Sequence, residues 1–162
     1  MRPEDKKYFE ALSERDLMGL NIKMEAQGEP KEGRIAVGTV TLERVDRQGW
    51  MGKTIHEVIL KPWQFSWTME QAGADYYQQG VRIVKDFKSA YDADIVLRGC
   101  VDIAQGLMDG TIPRDPDLHA ANCCQYLNPK VAGATKKKWL KGGMTLIKTI
   151  KHHEFFDDRK AK

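Results

Sequence analysis

One helix has to end within residues 23–30, whose sequence is KMEAQGEP. Apolar residues recur every three or four positions just before and into this segment, which predicts a helix with one buried stripe, at Leu17, Leu20 and Met24. Gly28 and Pro30 then break it, because a proline disfavours helical geometry at the residue before it. A second apolar pattern starts at once. The segment therefore predicts a tight turn between two packed helices.

Two carboxylates, Glu25 and Glu29, lie in this turn. On one continuous helix they would share a face and repel, but the break before Pro30 separates them. Glu25 follows Met24 by one residue, about 100° round the helix, at the edge of the buried stripe. A desolvated carboxyl group there can keep its proton near neutral pH, as a general acid must. We expect Glu29 to bind backbone N–H groups or an arginine; two ordinary surface charges are the alternative.

The remaining pattern predicts an α+β domain that is mainly α, with a small β element late in the chain. Helices are expected over residues 4–12, from the Ser13 cap onward, from Pro30 to about Arg47 with Gly49 as the stop, over 54–60 with Thr54 as the cap, within 74–89, and over 92–108 with Asp109–Gly110 as the stop. Short strands are expected at 126–129 and 144–150. The length of 162 residues suits one domain, with a core of about 13–156 and a loose tail over 157–162.

The charge is uneven along the chain. The net charge is +3, but residues 130–162 carry +7 and the first 129 residues carry −4. The basic end is suited to an anionic polymer or envelope surface, and a solvated basic face is an equally good interpretation. Nucleic acid is disfavoured as a partner, because the basic end carries no known nucleic-acid-binding motif. Residues 1–7 lack the apolar stretch of a signal peptide, so we expect synthesis in the cytoplasm.

Three cysteines, Cys100, Cys123 and Cys124, make a poor disulfide framework because their number is odd and two are adjacent. A zinc site with His119 is conceivable, but adjacent cysteines lack the two-to-four-residue spacer of common zinc motifs. We expect buried thiols in a reducing compartment, with no metal and no other cofactor.

Two further groups of side chains have the chemistry of a sugar cleft. Trp63, Gln64 and Phe65 follow a proline, and sugar rings stack on aromatic faces while amides bind their hydroxyls. A loop that plugs the core is the alternative. The second group combines residues late in the chain, of which an ordinary turn is the alternative: His119, Tyr126, Asn128 and His153. His152 directly precedes His153, and adjacent residues in a strand point to opposite faces, so at most one of the two faces any site.

Several short motifs, in order, resemble the cell wall hydrolase family typified by the spore cortex-lytic enzymes. That family's motif reads Glu-Ala-Arg-Gly-Glu-Pro, followed by a helix ending Asn-Arg-Val. Here the corresponding segments are EAQGEP at 25–30, GRIAV at 33–37 and ERV at 43–45. The similarity continues at YLNP, 126–129, and IKHHEFF, 150–156. Altogether it covers roughly residues 15–156, and the order of five short motifs makes it specific.

The resemblance implies a lysozyme-like helical fold and cleavage of the β-1,4 bond between N-acetylmuramic acid and N-acetylglucosamine in peptidoglycan. Family members usually act as lytic transglycosylases with a single acid/base, a role that carries over to Glu25, supported by Glu29 and Arg44. The substrate contacts that we expect are Trp63, Gln64, Phe65, His119, Tyr126, Asn128 and His153. The sequence departs from the family pattern at Gln27, Glu43 and 123–125. A hydrolytic muramidase and a catalytically silent glycan-binding protein are the alternatives.

A peptidoglycan-degrading chain with no export signal and a basic carboxyl-terminal end resembles a phage endolysin. We therefore expect a monomer that stays in the host cytoplasm until a separate pore releases it to the cell wall for lysis. The basic end would then engage anionic envelope surfaces.

Overall fold

The computed structural model describes residues 1–161 and is mainly helical, as predicted. Its helices are α1 (Pro3–Glu10), α2 (Glu14–Ala26), α3 (Lys31–Arg47), α4 (Ile55–Leu60), α5 (Ala74–Lys85), α6 (Phe87–Ala93), α7 (Ile95–Asp109), α8 (Pro116–Ala120) and α9 (Gly133–Lys141). Two 3-10 turns, Ser66–Thr68 and Glu70–Ala72, precede α5. The strands are β1 (Gln125–Leu127), β2 (Thr145–Ile150) and β3 (His153–Asp157). The α+β class with a small β element is therefore confirmed.

Helix α2 is the centre of the fold. It packs against α3, α4 and α7, and every residue from Leu17 to Met24 is buried. The predicted single stripe is wrong, because glycines let neighbouring helices approach on other sides as well. A Cβ at Gly19 would lie 2.6 Å from Cγ2 of Val101 on α7. The last turn of α2, which carries Glu25, reaches a surface cleft near the sheet, whereas its first turn borders a smaller one.

Local chemistry sets most of the helix ends. Ser13 Oγ accepts a hydrogen bond from the Asp16 N–H at 3.1 Å, and Thr54 Oγ1 accepts from the Glu57 N–H at 3.1 Å, so both predicted caps are confirmed. The stop of α3 is Gln48, in the left-handed region with φ 53°, rather than Gly49.

The expected helix over 92–108 begins later, at Ile95. The Asp94 carboxylate accepts hydrogen bonds from two N–H groups of the first turn of α7, and thereby ends the separate helix α6. Gly110, with φ 81°, ends α7 as expected from the Asp109–Gly110 pair.

The three strands form one antiparallel sheet with β3 between β1 and β2. In the register of this sheet, Tyr126 on β1 is opposite Phe155 on β3. Helix α9 was not predicted; its Trp139 packs edge-on against Phe156 at 5.5 Å, and its Lys136 pairs with Glu154. These two contacts hold α9, which contains the lysine-rich segment, against the sheet.

The segment predicted as a loose tail is held against the domain over its described part. Asp158 receives two hydrogen bonds from the Arg47 guanidinium on α3, at 2.8 and 2.9 Å. This pairing corrects the expectation for residues 157–161, whereas Lys162 lies outside the described residues. Within residues 1–161, no helix has the length and apolarity needed to cross a membrane.

The predicted buried thiols are confirmed, since all three cysteines are buried and none forms a disulfide. Burial raises the pKa of Cys100 and Cys123 to about 11 and that of Cys124 to about 12, so they remain protonated. Cys123 Sγ lies 3.3 Å from the Phe156 carbonyl oxygen, while His119 bonds Glu43 elsewhere. Over the residues that the structure describes, His119 and the two adjacent cysteines therefore do not come together as a group that could hold a metal ion.

Candidate active site

An open cleft of about 690 Å³ lies where the end of α2 meets the sheet. Its polar and aromatic lining comes from segments distant in sequence: Glu25, Arg44, Trp63, Gln64, Ser66, Tyr76, Tyr126, Asn128, Thr135 and His153. Six of the expected site residues beside Glu25 are thus brought together, namely Arg44, Trp63, Gln64, Tyr126, Asn128 and His153. Glu29, Phe65 and His119 lie elsewhere.

Glu25 is half-buried at the bottom of the cleft, in the last turn of α2. Its Oε2 accepts a hydrogen bond from the Tyr126 hydroxyl at 2.8 Å. Burial raises the pKa of Glu25 above its ordinary value of 4.5, and the Tyr126 hydrogen bond and the Arg44 charge oppose this increase. The result is a carboxyl group biased towards its protonated form and open to a ligand, which is what a general acid requires.

Tyr126 is fixed by the sheet. Its ring packs against His153 at 5.1 Å and Phe155 at 5.6 Å between centroids. Burial, together with the nearby Glu25, raises the pKa of Tyr126 well above 10, so its hydroxyl stays a hydrogen-bond donor. Burial lowers the pKa of His153 below its ordinary 6.5 and keeps its imidazole neutral at pH 7. The cleft beside Glu25 therefore has neutral donors on its sheet side.

Arg44 lies at the cleft with only 5% of its surface exposed. Its Nε donates to the Cys124 carbonyl oxygen at 2.9 Å. The guanidinium lies over the Phe65 ring at 5.0 Å and the Tyr126 ring at 6.0 Å. It brings a positive charge next to the carboxyl of Glu25, whose pKa it lowers.

Part of the segment 62–67 lines the cleft and part of it fills the core, so each of the two alternatives considered for it applies to some of its residues. The Trp63 side chain is 74% exposed at the cleft, on a backbone with φ 68°. Phe65, 2% exposed, lies beneath Arg44 in the core, and Trp67 donates from Nε1 to Asn21 Oδ1 at 2.8 Å in the core as well. The expected placement of Phe65 in the cleft is therefore wrong. Its apolar ring is buried in the core, where it is shielded from water.

His119 also lies away from the cleft. It belongs to α8, and its Nδ1 is 2.6 Å from Oε1 of Glu43. Glu43, 2% exposed, is held as well by Arg114 at 2.7 Å. The carboxylate that replaces the family's asparagine is therefore the buried member of a cluster whose other members, Arg114 and His119, reach the surface. His119 borders a different surface pocket, with Asp46 and Arg114, which corrects its expected placement.

Glu29 is 6% exposed and lies in the turn between α2 and α3. It accepts from the backbone N–H of His152 at 3.4 Å and pairs with His152 Nδ1 at 2.8 Å. The expected backbone partner is present, and the side-chain partner is a histidine rather than an arginine. Adjacent histidines diverge as expected: His152 goes to Glu29, and His153 to the cleft.

Sequence reasoning missed several cleft residues, above all Tyr76, with Met69, Val131 and Thr135. Tyr76 lines the same cleft as Glu25, and burial, followed by the charge of Glu25, raises the pKa of its hydroxyl. The pair Tyr76–Tyr77 was a usable signal, since adjacent helical residues differ in direction by about 100°. Tyr77 is fully buried and leaves Tyr76 to the surface.

The fold and the site together define a mainly helical α+β protein whose cleft presents one carboxyl group among aromatic and amide side chains. A profile of the Cell Wall Hydrolase family matches residues 28–156, which is most of the chain. The chain therefore belongs to the cell wall hydrolase family, whose substrate is peptidoglycan. The match includes Glu29, Arg44, Tyr126 and His153 and begins three residues after Glu25. No curated protein and no solved structure matches the chain.

Proposed function

We propose that this cell wall hydrolase cleaves the β-1,4 bond between N-acetylmuramic acid and N-acetylglucosamine as a lytic transglycosylase, with Glu25 as the single acid/base. One observation carries the proposal. Within residues 1–161, Glu25 is the one carboxylate that lines the cleft. Ordinary retaining and inverting glycosidases need two carboxyl groups at the scissile bond, whereas an intramolecular transfer needs one.

The chemistry follows from the two protonation states of Glu25. Its protonated carboxyl donates to the glycosidic oxygen, and the bond from that oxygen to muramic C1 breaks. The resulting carboxylate takes the proton from the muramic C6 hydroxyl, whose oxygen bonds C1 and closes a 1,6-anhydro ring. Glu25 ends protonated, ready for another turnover. Because burial raises its pKa, the starting protonated state is populated nearer neutral pH than for an ordinary glutamate.

The walls of the cleft supply the sugar contacts in this proposal. Trp63 holds a large exposed ring in a left-handed backbone conformation, which non-glycine residues adopt infrequently and at a cost in conformational energy. We assign it to stacking on a sugar ring. The amides of Gln64 and Asn128, which line the same cleft, are suited to sugar hydroxyls and acetamido groups.

Mass spectrometry of purified peptidoglycan digested in ¹⁸O-labelled water tests the reaction. We expect anhydromuramic ends without ¹⁸O, because water takes no part in the transfer. Reducing muramic ends carrying ¹⁸O would show hydrolysis instead, and would favour the muramidase alternative with a second acid.

A catalytically silent glycan-binding protein is the second alternative. The Glu25→Gln variant distinguishes it from the proposed enzyme. The amide keeps the acceptor for the Tyr126 hydroxyl but has no proton to transfer. We expect loss of cleavage with retained sedimentation on insoluble peptidoglycan. If the wild-type protein sediments with insoluble peptidoglycan but does not cleave it, the catalytically silent glycan-binding protein is favoured.

We further propose that the enzyme acts as a phage endolysin and that its basic end binds anionic envelope surfaces. Lys137, Lys138 and Lys141 on α9 are exposed, and the residues that lead into α9 line the cleft. Replacing these three lysines by glutamine should weaken lysis of whole envelopes more than digestion of purified peptidoglycan. Replacing the exposed Lys6 and Lys7 on α1 is the control. Co-expression with and without a pore-forming protein tests the lysis role, since only the combination should clear the culture.

A further inference from the structure

Arg44 is a buried cation without a carboxylate partner. Its surface is 5% exposed, and its one hydrogen bond goes from Nε to the Cys124 carbonyl oxygen at 2.9 Å. In the described part of the chain its Nη1 has no hydrogen-bond partner and its guanidinium has no ion pair. Buried charges are normally paired, so this arrangement calls for a reason.

Its neighbour on the same helix shows the usual solution. Arg47, one turn further along α3, makes two hydrogen bonds to the Asp158 carboxylate and one to the Asn122 carbonyl oxygen. Arg44 instead lies over the faces of Phe65 and Tyr126, at 5.0 and 6.0 Å. Aromatic faces attract a cation but do not neutralise it. The positive charge of Arg44 therefore lies beside the cleft without a neutralising partner.

The groups that face Glu25 come from four elements. Arg44 belongs to α3, Tyr76 to α5, Tyr126 to β1 and His153 to β3. Both tyrosines and the histidine are neutral at pH 7 because burial disfavours their charged forms. Among the described residues that line the cleft, Arg44 is thus the one fixed positive charge, and Glu25 is the one group able to become negative.

We propose that Arg44 is a positioning residue that stabilises the ionised form of Glu25 between the two proton transfers. The inference rests on the proposed function. After Glu25 has protonated the glycosidic oxygen and the bond to C1 has broken, its carboxylate stands half-buried until it receives the C6 hydroxyl proton. The Tyr126 hydroxyl donates to that carboxylate and Arg44 supplies the counter-charge, with no contribution to initial substrate binding.

The experiment combines a titration with kinetics. The carboxyl ¹³C signal of Glu25 is followed against pH by NMR in wild type, Arg44→Gln and Arg44→Lys. We expect Arg44→Gln to raise the pKa of Glu25 and Arg44→Lys to keep it close to wild type, because removing a nearby cation disfavours the carboxylate. In Arg44→Gln, kcat should fall about tenfold or more with KM nearly unchanged. The alkaline limb of the kcat/KM profile should move to higher pH.

Arg47→Gln is the matched control, since it removes an arginine from the same helix and should leave the Glu25 titration in place. If Arg44→Gln fails to fold, Arg44→Met keeps an apolar contact with both rings and gives the same measurement. A folded Arg44→Gln or Arg44→Met with an unmoved Glu25 titration overturns the inference. So does a raised KM with unchanged kcat, which would make Arg44 a substrate contact.

The titration also separates this inference from the proposed function. If removing Arg44 shifts the Glu25 titration but wild type releases no muropeptides, Arg44 does stabilise the Glu25 carboxylate while the transglycosylase proposal fails. Anhydro products from wild type, together with an unmoved Glu25, leave the proposed function standing and remove the role of Arg44.

Discussion

Glu25 and Glu29 are four residues apart, yet the fold uses them in opposite ways. Glu29 is 6% exposed and pairs with the His152 side chain, which joins the α2–α3 turn to the β2–β3 turn. Lys151 reinforces the same junction by donating to the Gly28 carbonyl oxygen at 2.6 Å. Glu25 has a single neutral donor, the Tyr126 hydroxyl, and lines the cleft.

The difference teaches that the number of hydrogen-bond partners, rather than burial alone, separates a structural carboxylate from a reactive one. A carboxylate tied to a histidine ring and a backbone N–H is fixed in place. A half-buried carboxyl group with one neutral donor keeps a free oxygen and a raised pKa. The following predictions challenge this contrast, in order of decreasing effect.

Replacing Glu29 should damage the fold rather than the chemistry. Glu29→Ala leaves the His152 ring and backbone N–H without their acceptor, and we expect a loss of about 2 kcal/mol in the free energy of unfolding. Urea denaturation measures it. Glu32→Ala, at an exposed carboxylate in the first turn of α3, is the control and should be nearly neutral. Equal effects of the two changes would remove the structural role of Glu29.

Removing the donor to Glu25 should change the chemistry rather than the fold. Tyr126→Phe lacks the hydroxyl that bonds the Glu25 carboxylate, so the pKa of Glu25 should rise and kcat should fall about tenfold. A pH–rate profile is the measurement, and its alkaline limb should move upward. Tyr8→Phe, on α1, should leave the profile unchanged. An unmoved limb in Tyr126→Phe would mean that the hydroxyl does not tune Glu25.

Close packing against Glu29 should make Gly33 intolerant of a side chain. A Cβ at Gly33 would lie 2.8 Å from the Glu29 Cβ, whereas one at Gly28 would meet nothing within 4 Å. We expect Gly33→Ala to cost about 1 kcal/mol, since overpacking outweighs the helix propensity that alanine adds. Gly28→Ala should be close to neutral. Thermal unfolding compares the two, and a stabilised Gly33→Ala would show that the turn yields easily.

The raised pKa of Glu25 should also be visible in stability. The folded protein binds more protons than the unfolded chain between the ordinary pKa of 4.5 and the raised value, so stability falls as pH rises through that window. Glu25→Gln does not titrate. Its stability should therefore rise relative to wild type as pH increases through that window, and the difference should vanish near pH 4. A pH-independent difference would contradict a raised Glu25 pKa.

Local features of the fold could be predicted from the sequence where a few adjacent residues determine them. The caps at Ser13 and Thr54 and the end of α7 at Gly110 depend on neighbours within one turn. Helix α9 was missed because it begins with glycine and has no side-chain cap.

The partners in the site could not be predicted in the same way. Tyr126 reaches Glu25 from 101 positions away, and His152 reaches Glu29 from 123 positions away. Such contacts follow from how the sheet docks on α2, which no local pattern records. Tyr76 was missed for the same reason. Phe65 is placed by the space available in the core, and His119 is placed by its contact with Glu43. Both depend on residues far away in the sequence.

The most direct test of the division between the two carboxylates is to compare Glu25→Gln with Glu29→Gln. Initial rates of muropeptide release from purified peptidoglycan are measured and normalised to folded protein. We expect Glu25→Gln to lose about 10²- to 10⁴-fold in rate, the contribution of general acid–base catalysis, while Glu29→Gln stays close to wild type. A Glu29→Gln protein that is folded but inactive, beside an active Glu25→Gln, would contradict the account and make Glu29 the acid.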